Sequence, residues 1–141
     1  MTLPDLPFDP VVIVDGLAYV SGQIATDAES ELVAQGRVGA EVDVDTAIRC
    51  AEACARNVLR QLEQVPGGLD GVERLVKLTV FVAAGPGFDR PHVVANGASD
   101  VLLAALGERG RHARSAIGVA SLPLGSPVEV EAIVRLATPT P

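Results

Sequence analysis

Hydrophobic and polar residues follow a strand-like pattern at the start of this chain. Residues 11–14 and 17–22 are short runs rich in apolar and β-branched residues, and Asp15-Gly16 separates them. Two such runs joined by this dipeptide predict a β-hairpin with a tight turn. Residues 23–41 mix glycines, acidic residues and small apolar residues, and they indicate at most a short strand near Leu32-Val33.

The next segment changes to a helical period. Apolar residues recur every three or four positions up to about Val65, which predicts an amphipathic helix. Asp43 or Asp45 can cap its amino end, because a carboxylate accepts hydrogen bonds from the free N–H groups of the first turn. Pro66, followed by two glycines, is expected to end the helix.

The second half of the chain adds one helix and three strands. Residues 72–84 are almost continuously apolar and β-branched, which predicts a strand inside a sheet. Residues 89–106 have a helical pattern interrupted by Gly97, which should cost about 1 kcal/mol relative to alanine unless packing requires it. Two further strands are predicted at about 115–120 and 128–136, with the turn between them closing a second hairpin.

This order of elements predicts one α+β domain over residues 1–141, with a core at 7–136 and a flexible tail at 137–141. Two helices can cover only one face of a mixed sheet of five or six strands. The opposite face must then meet solvent or another subunit. Because the strands are so apolar, we expect a homo-oligomer.

Composition limits the classes of partner. The chain has 141 residues, a formal net charge of -7, no Trp, one Tyr and three Phe. Its core must therefore be aliphatic. An acidic protein with few aromatic residues lacks the basic surface and stacking platforms that nucleic acids require, so nucleic-acid binding is not expected.

Targeting signals and membrane spans are not expected either. The first residues lack the basic and apolar regions of a secretory signal, which predicts a cytoplasmic protein. No apolar stretch reaches the roughly 20 residues that span a bilayer. Cys50 and Cys54 lie one helical turn apart and supply only two of the about four ligands of a structural zinc site. We interpret them as two small buried hydrophobic residues.

Candidate chemistry is concentrated near the carboxyl end. In the alternating run 128–133, Glu129 and Glu131 lie on the opposite face from the valines, and the predicted hairpin can bring Glu129 close to Arg114. A guanidinium binds a carboxylate with two parallel hydrogen bonds, and a glutamate can hold a water or take a proton. The alternative is a salt bridge between Arg114 and Glu129 or Glu131 that only stabilises the sheet.

A set of motifs in this order resembles the Rid, or YjgF-type, family over roughly residues 7–136. The fragments that carry the resemblance are Tyr19-Val20-Ser21-Gly22-Gln23, Val80-Phe81-Val82, Asn96, Ala113-Arg114-Ser115, Leu122-Pro123 and Val128-Glu129-Val130-Glu131-Ala132-Ile133. The resemblance implies a chorismate-mutase-like fold and a homotrimer with a cleft between adjacent subunits. It also implies hydrolysis of enamines and imines, such as 2-aminoacrylate, to 2-keto acids and ammonia, without a metal or an organic cofactor.

The resemblance also implies roles for single residues. Arg114 matches the arginine that clamps the substrate carboxylate, and Glu129 matches the acid that positions the attacking water. Ser21 and Asn96 match residues that contact the ligand or shape the pocket.

Two positions depart from the family pattern. Phe8 stands where active members commonly have a tyrosine, and Ala116 stands where a cysteine is common. These departures indicate a side branch of the family. His112 can tune the cleft, but we interpret it as a solvated loop residue.

Two function hypotheses follow. The first is a deaminase of 2-iminoacids or enamines. The alternative is a non-catalytic protein that binds a carboxylate metabolite in the same cleft. A ribonuclease, an activity attached to some members by name, is disfavoured by the acidic charge and by the absence of a paired histidine site in the sequence.

Overall fold

The fold places two helices against one face of a mixed sheet. The structure is a computed structural model, which describes residues 6–138. The strands and helices are β1 (Val11–Val14), β2 (Leu17–Ile24), α1 (Val44–Leu62), β3 (Val72–Ala83), α2 (Pro91–Leu106), β4 (Ala113–Val119) and β5 (Val128–Leu136). Over the described residues the sheet has five strands in the order β1-β2-β5-β3-β4, so the predicted α+β class is confirmed.

The predicted hairpin between β4 and β5 is wrong. β3 lies between these strands, parallel to β4 and antiparallel to β5. Helix α2 forms the crossover that a parallel pair such as β3 and β4 requires. The segment between β4 and β5 bonds to residues 35–36 and does not form a tight turn. The Gly125 carbonyl accepts a hydrogen bond from the Gly36 N–H, and the Leu124 carbonyl accepts one from the Gln35 side chain.

The possible strand near Leu32-Val33 does not form. Leu32 makes only an isolated bridge to Thr26. The segment between them is a turn held by Asp27, whose carboxylate accepts hydrogen bonds from the N–H groups of Glu29 and Glu31. An aspartate that satisfies the backbone locally favours a turn over a strand ladder.

Helix α1 begins as predicted and ends slightly early. Asp43 is the N-cap, and its Oδ1 accepts a hydrogen bond of 2.8 Å from the Thr46 N–H. The helix ends at Leu62, three residues before the predicted end. Both cysteines lie on its buried side, and burial raises the pKa of the Cys50 thiol to about 11. The interpretation of the cysteines as buried hydrophobic residues is confirmed.

Helices α1 and α2 pack closely, and the contact explains the glycine inside α2. A Cβ atom at Gly97 would lie 2.5 Å from the Ile48 carbonyl oxygen on α1. Glycine is therefore the residue that lets the two backbones approach. The two helices cover the apolar side chains of the sheet, including those of Leu75, Leu78 and Val130, which are fully buried.

The other face of the sheet, which we call the open face, is not covered by any part of the chain that the structure describes. Several large apolar side chains lie exposed there, with Val12 45% exposed, Tyr19 44% and Ile117 43%. No helix within residues 6–138 is both long and apolar enough to cross a membrane. The predicted flexible tail lies largely outside the described residues, and within it the Ala137 N–H donates to the Gly71 carbonyl.

Candidate functional site

Helix α2 holds the guanidinium of Arg114 on the face of the sheet that the helices cover. Nη1 of Arg114 donates to Asn96 Oδ1 at 2.9 Å and to Ser99 Oγ at 3.1 Å, and Nη2 donates to the His92 carbonyl at 3.2 Å. His92, Asn96 and Ser99 are spaced by four and three residues, so they share one side of the helix. The structure thus brings together Arg114 and Asn96, two of the predicted site residues.

These contacts leave one edge of the guanidinium available. Arginine has five N–H groups, and three of them are used by α2. The remaining two, on Nε and Nη2, flank the same edge of the planar group. Two parallel N–H groups are what a carboxylate needs for bidentate binding.

Arg114 also lacks an acidic partner in the described part of the chain. The salt bridges of residues 6–138 join Arg37 to Glu41 and Arg56 to Glu52. The alternative considered for Arg114, a salt bridge to Glu129 or Glu131, does not form. The guanidinium is therefore fixed in position while its charge is not neutralised by a neighbouring carboxylate.

Glu129 lies on the opposite face of the sheet from Arg114. Residues paired in register share a face, and Arg114 pairs with the buried Leu78, whereas Glu129 pairs with Phe81. Strand β3 also separates the two strands that carry them. The expectation that one hairpin brings Glu129 close to Arg114 is therefore wrong within a single chain.

The half-buried position of Glu129 favours its protonated form. Burial, and then the charge of Glu131, raise the pKa of the Glu129 carboxyl above its usual value of 4.5. Gly22 makes room for this side chain, because a Cβ atom at Gly22 would lie 2.6 Å from a Glu129 carboxylate oxygen. The pairing of β2 with β5 is irregular at this point, between Val20 and Gln23. This gives a physical reason for the glycine in the Ser-Gly-Gln motif.

Ser21 lies on the side of the molecule that carries Glu129. Ser21 Oγ donates to the Asp9 carbonyl at 2.8 Å and so fixes the segment that carries Phe8, whose side chain is 57% exposed. Ser21 also lines a shallow groove of about 220 Å³ with Tyr19 and Glu131. Neither Ser21 nor Phe8 contacts Arg114.

The predicted site residues therefore divide into two groups. Ala116 is half-buried and shares the face of Arg114, since it pairs with the buried Val80. We call Arg114, Asn96 and Ala116 the arginine half-site, and Glu129, Ser21 and Phe8 the glutamate half-site. Within residues 6–138, no three His, Cys, Asp or Glu side chains gather as a metal site would require.

Two further residues join the arginine half-site: Ser99, which was missed from the sequence, and His112, which was named as able to tune the cleft but was interpreted as a solvated loop residue. Ser99 Oγ lies 2.9 Å from His112 Nε2, and His112 Nδ1 lies 2.6 Å from the Gly110 carbonyl. The interpretation of His112 as a solvated loop residue is wrong, because both ring nitrogens have protein partners. Two signals were available. His112 precedes Arg114 by two residues, and Ser99 follows Asn96 by three.

This network borders a small depression on the surface. It has a volume of about 230 Å³ and is lined by Ser99, Leu103, Arg111, His112 and Arg114. The depression has room for a group of about carboxylate size next to Arg114. It is too small and open to enclose a substrate by itself.

Comparison with known proteins places this chain in a family. The family model described as Endoribonuclease L-PSP matches residues 3–136. Protein TCP17 of Trypanosoma cruzi is 46% identical over 119 residues, which make up 84% of this chain and 74% of that protein. The crystal structure of protein Atu1372 from Agrobacterium tumefaciens is 44% identical with a TM-score of 0.90, and the match covers 93% of this chain and 82% of that one.

A more distant match carries the Rid name. The crystal structure of RidA from the Antarctic bacterium Psychrobacter sp. PAMC 21119 is 30% identical with a TM-score of 0.63, and the match covers 93% of this chain and 89% of that one. The fold and the span of the match define the class of this protein, which is that of small α+β domains with two helices on a five-stranded mixed sheet. The chain belongs to the Endoribonuclease L-PSP family, which is the YjgF/Rid-type family that its motifs resemble.

Proposed function

We propose that this protein is a deaminase that hydrolyses 2-iminoacids and related enamines to 2-keto acids and ammonia. The observation that carries the proposal is the state of Arg114. Its guanidinium is fixed by three hydrogen bonds to α2, keeps two N–H groups along one edge, and has no acidic partner among the described residues. This arrangement is suited to a substrate carboxylate.

The active site in this proposal lies between two subunits of a homotrimer. The arginine and glutamate half-sites lie on opposite faces of the sheet, so one chain cannot place both against one small molecule. β4, which carries Arg114, is an edge strand, and the open face carries exposed apolar side chains. Packing the β4 edge of one subunit against the open face of the next joins the two half-sites and buries that apolar surface.

The reaction needs only a few catalytic groups from the protein. Water adds to the imine carbon, the π electrons of the C=N bond move to nitrogen, and a water proton ends on that nitrogen. The resulting carbinolamine then collapses: the C–N bond breaks with its electrons staying on nitrogen, and the hydroxyl proton passes to that nitrogen, which gives a 2-keto acid and ammonia. Arg114 holds the carboxylate, and Glu129 holds the water about 3–3.5 Å from the carbon.

The environment of Glu129 fits a group that exchanges protons during this sequence. Its pKa is raised by burial and by the neighbouring charge of Glu131. A carboxyl whose pKa moves towards neutrality is a better general acid for the leaving ammonia than an ordinary exposed glutamate. In a cleft between subunits, further loss of water would raise this pKa again.

The test is the rate of keto-acid and ammonia release from imines generated in situ by an amino-acid oxidase. Arg114→Ala should lower the catalytic efficiency at least about 100-fold, because two charge-assisted hydrogen bonds contribute about 1.5–3 kcal/mol each. Arg114→Lys should also fail, since an ammonium lacks the planar fork. Arg56→Ala, which removes an exposed arginine on α1, is the matched control and should retain activity.

A carboxylate-binding protein without turnover is the second candidate. It is favoured by Phe8 and Ala116, which lack the hydroxyl of the tyrosine and the thiol of the cysteine that the family pattern implies at these positions. A wild-type protein that binds a 2-keto acid through Arg114, yet does not accelerate hydrolysis of any imine, would establish this alternative.

Ribonuclease activity, which the family description names, is less compatible with this chain. The net charge is -7, and the arginine half-site offers a depression of only about 230 Å³. Binding a polyanion requires several cationic contacts along a surface. RNA cleavage that persists through purification and is lost in Arg114→Ala would revive this reading.

A further inference from the structure

We propose that Ser99 and His112 are positioning residues that fix the guanidinium of Arg114 for the substrate carboxylate. The inference rests on the proposed role of Arg114 in carboxylate binding. Neither residue belongs to the motifs that indicated the family. Both act on the side of the guanidinium that faces α2, away from the free edge.

The hydrogen bonds of the network run in one direction. Gly110 contributes a carbonyl, which can only accept, so His112 Nδ1 carries a hydrogen. In the neutral ring Nε2 is then an acceptor, and the Ser99 hydroxyl donates to it. The Ser99 oxygen is left with its lone pairs towards Arg114 Nη1, which donates to it. Each donor of this hydrogen-bond network therefore has one acceptor.

This ordering matters because Arg114 lies on an edge strand and has a long side chain. A free arginine samples many rotamers, and binding a carboxylate would require it to lose that freedom. Ser99 alone can rotate its hydroxyl and present either its hydrogen or its lone pairs. His112 removes that choice by accepting the hydrogen, so the Ser99 oxygen remains an acceptor for Arg114.

Two isosteric replacements of His112 separate the bonds that it makes. Glutamine places an amide where Nε2 lies and can accept from Ser99, whereas asparagine places its amide where Nδ1 lies and can only keep the Gly110 contact. His112→Gln should therefore retain the orientation of Ser99, and His112→Asn should lose it. Ser99→Ala removes the acceptor for Arg114 directly.

The experiment is a calorimetric titration of the full chain with a 2-keto acid and with the corresponding neutral 2-keto amide, together with KM and kcat for imine hydrolysis. Ser99→Ala and His112→Asn should each weaken keto-acid binding about tenfold, with little change for the amide. KM should rise in the same proportion while kcat changes less. His112→Gln should stay within about twofold of the wild type.

The outcomes distinguish this inference from the proposed function. Unchanged keto-acid binding in Ser99→Ala and His112→Asn would overturn the positioning role, whatever the deaminase activity. Equal losses for acid and amide, or equal losses in His112→Gln and His112→Asn with a lowered unfolding temperature, would show a folding role and would also overturn it. A wild type that binds keto acid selectively but releases no ammonia would refute only the deaminase.

Discussion

Glu129 is held where its charge is unfavourable, and this should appear in the stability of the protein. Its folded-state pKa lies above the usual value of 4.5 because of burial and, secondarily, the charge of Glu131. Between those two pKa values the folded chain holds a proton that the unfolded chain has lost. The free energy of unfolding therefore falls as pH rises through this window and stays lower above it.

Glu129→Gln should remove this pH dependence. We expect the variant to be more stable than the wild type at pH 7. The difference should shrink below pH 4.5, where the Glu129 carboxyl of the wild type is protonated in both the folded and the unfolded state. The measurement is urea unfolding at several pH values and one chain concentration, since oligomers unfold in a concentration-dependent way. Glu73→Gln, at an exposed position of β3, is the control. A gain that is the same at pH 4 and pH 7 would contradict the assignment.

At the scale of elements, the crossing of α1 and α2 depends on one missing methyl group. Gly97 is buried, and a Cβ atom there would meet the Ile48 carbonyl oxygen at 2.5 Å. The backbone of α1 cannot move aside as a flexible side chain can. The cost of glycine in the helix is therefore offset by the close packing of the two helices.

Gly97→Ala should destabilise the protein, although alanine is the better helix former by about 1 kcal/mol. We expect a loss of about 1–3 kcal/mol in the free energy of unfolding, as for other overpacked sites. Because α2 carries Asn96 and Ser99, carboxylate binding should weaken as well. Ala104→Gly, at an exposed position of the same helix, measures helix propensity without the packing contact. If Gly97→Ala stabilised the protein, the helix crossing described here would be wrong.

At the scale of the whole molecule, the sheet separates two sets of chemical groups. Arg114 lies on the helix-covered face at an edge strand, and Glu129 lies on the open face near the centre of the sheet. Assembly is then a requirement for the proposed chemistry and more than a means of covering apolar surface. A monomer should have little or no activity.

Mixing two inactive variants tests this requirement. Arg114→Ala and Glu129→Gln should each be inactive alone, but in mixed trimers one of the three clefts receives the intact arginine and the intact glutamate. Random assembly from equal amounts should restore about a quarter of wild-type activity. The measurement is imine hydrolysis after the two variants are refolded together, with each variant refolded alone as the control. No recovery from mixed oligomers of confirmed composition would refute a cleft shared between subunits.

The sequence by itself determined the local elements and the family. Two apolar runs around Asp15-Gly16 predicted the β1-β2 hairpin, and alternation predicted β5. A cap at Asp43 or Asp45 and the helical period predicted α1, and the almost continuous apolar run predicted β3 as an interior strand. These features depend on neighbouring residues, whose periodicity reports burial directly. The arginine and the asparagine of one half-site were also identified, because the motifs that carry them lie within short segments.

Only the tertiary structure decided which residues meet. The placement of β3 between β4 and β5 put Arg114 and Glu129 on opposite faces, and no local pattern carries that information, since pairing partners are chosen by crossovers and loop contacts over long distances. The same holds for Ser99 and His112, whose hydrogen bond joins a helix to the segment before an edge strand. Gly97 looked like a local weakness in the sequence. The structure explains this glycine by the Ile48 carbonyl oxygen, which belongs to a residue 49 positions away in the chain and leaves no room for a Cβ atom. Such close packing arises only where the fold brings two surfaces together.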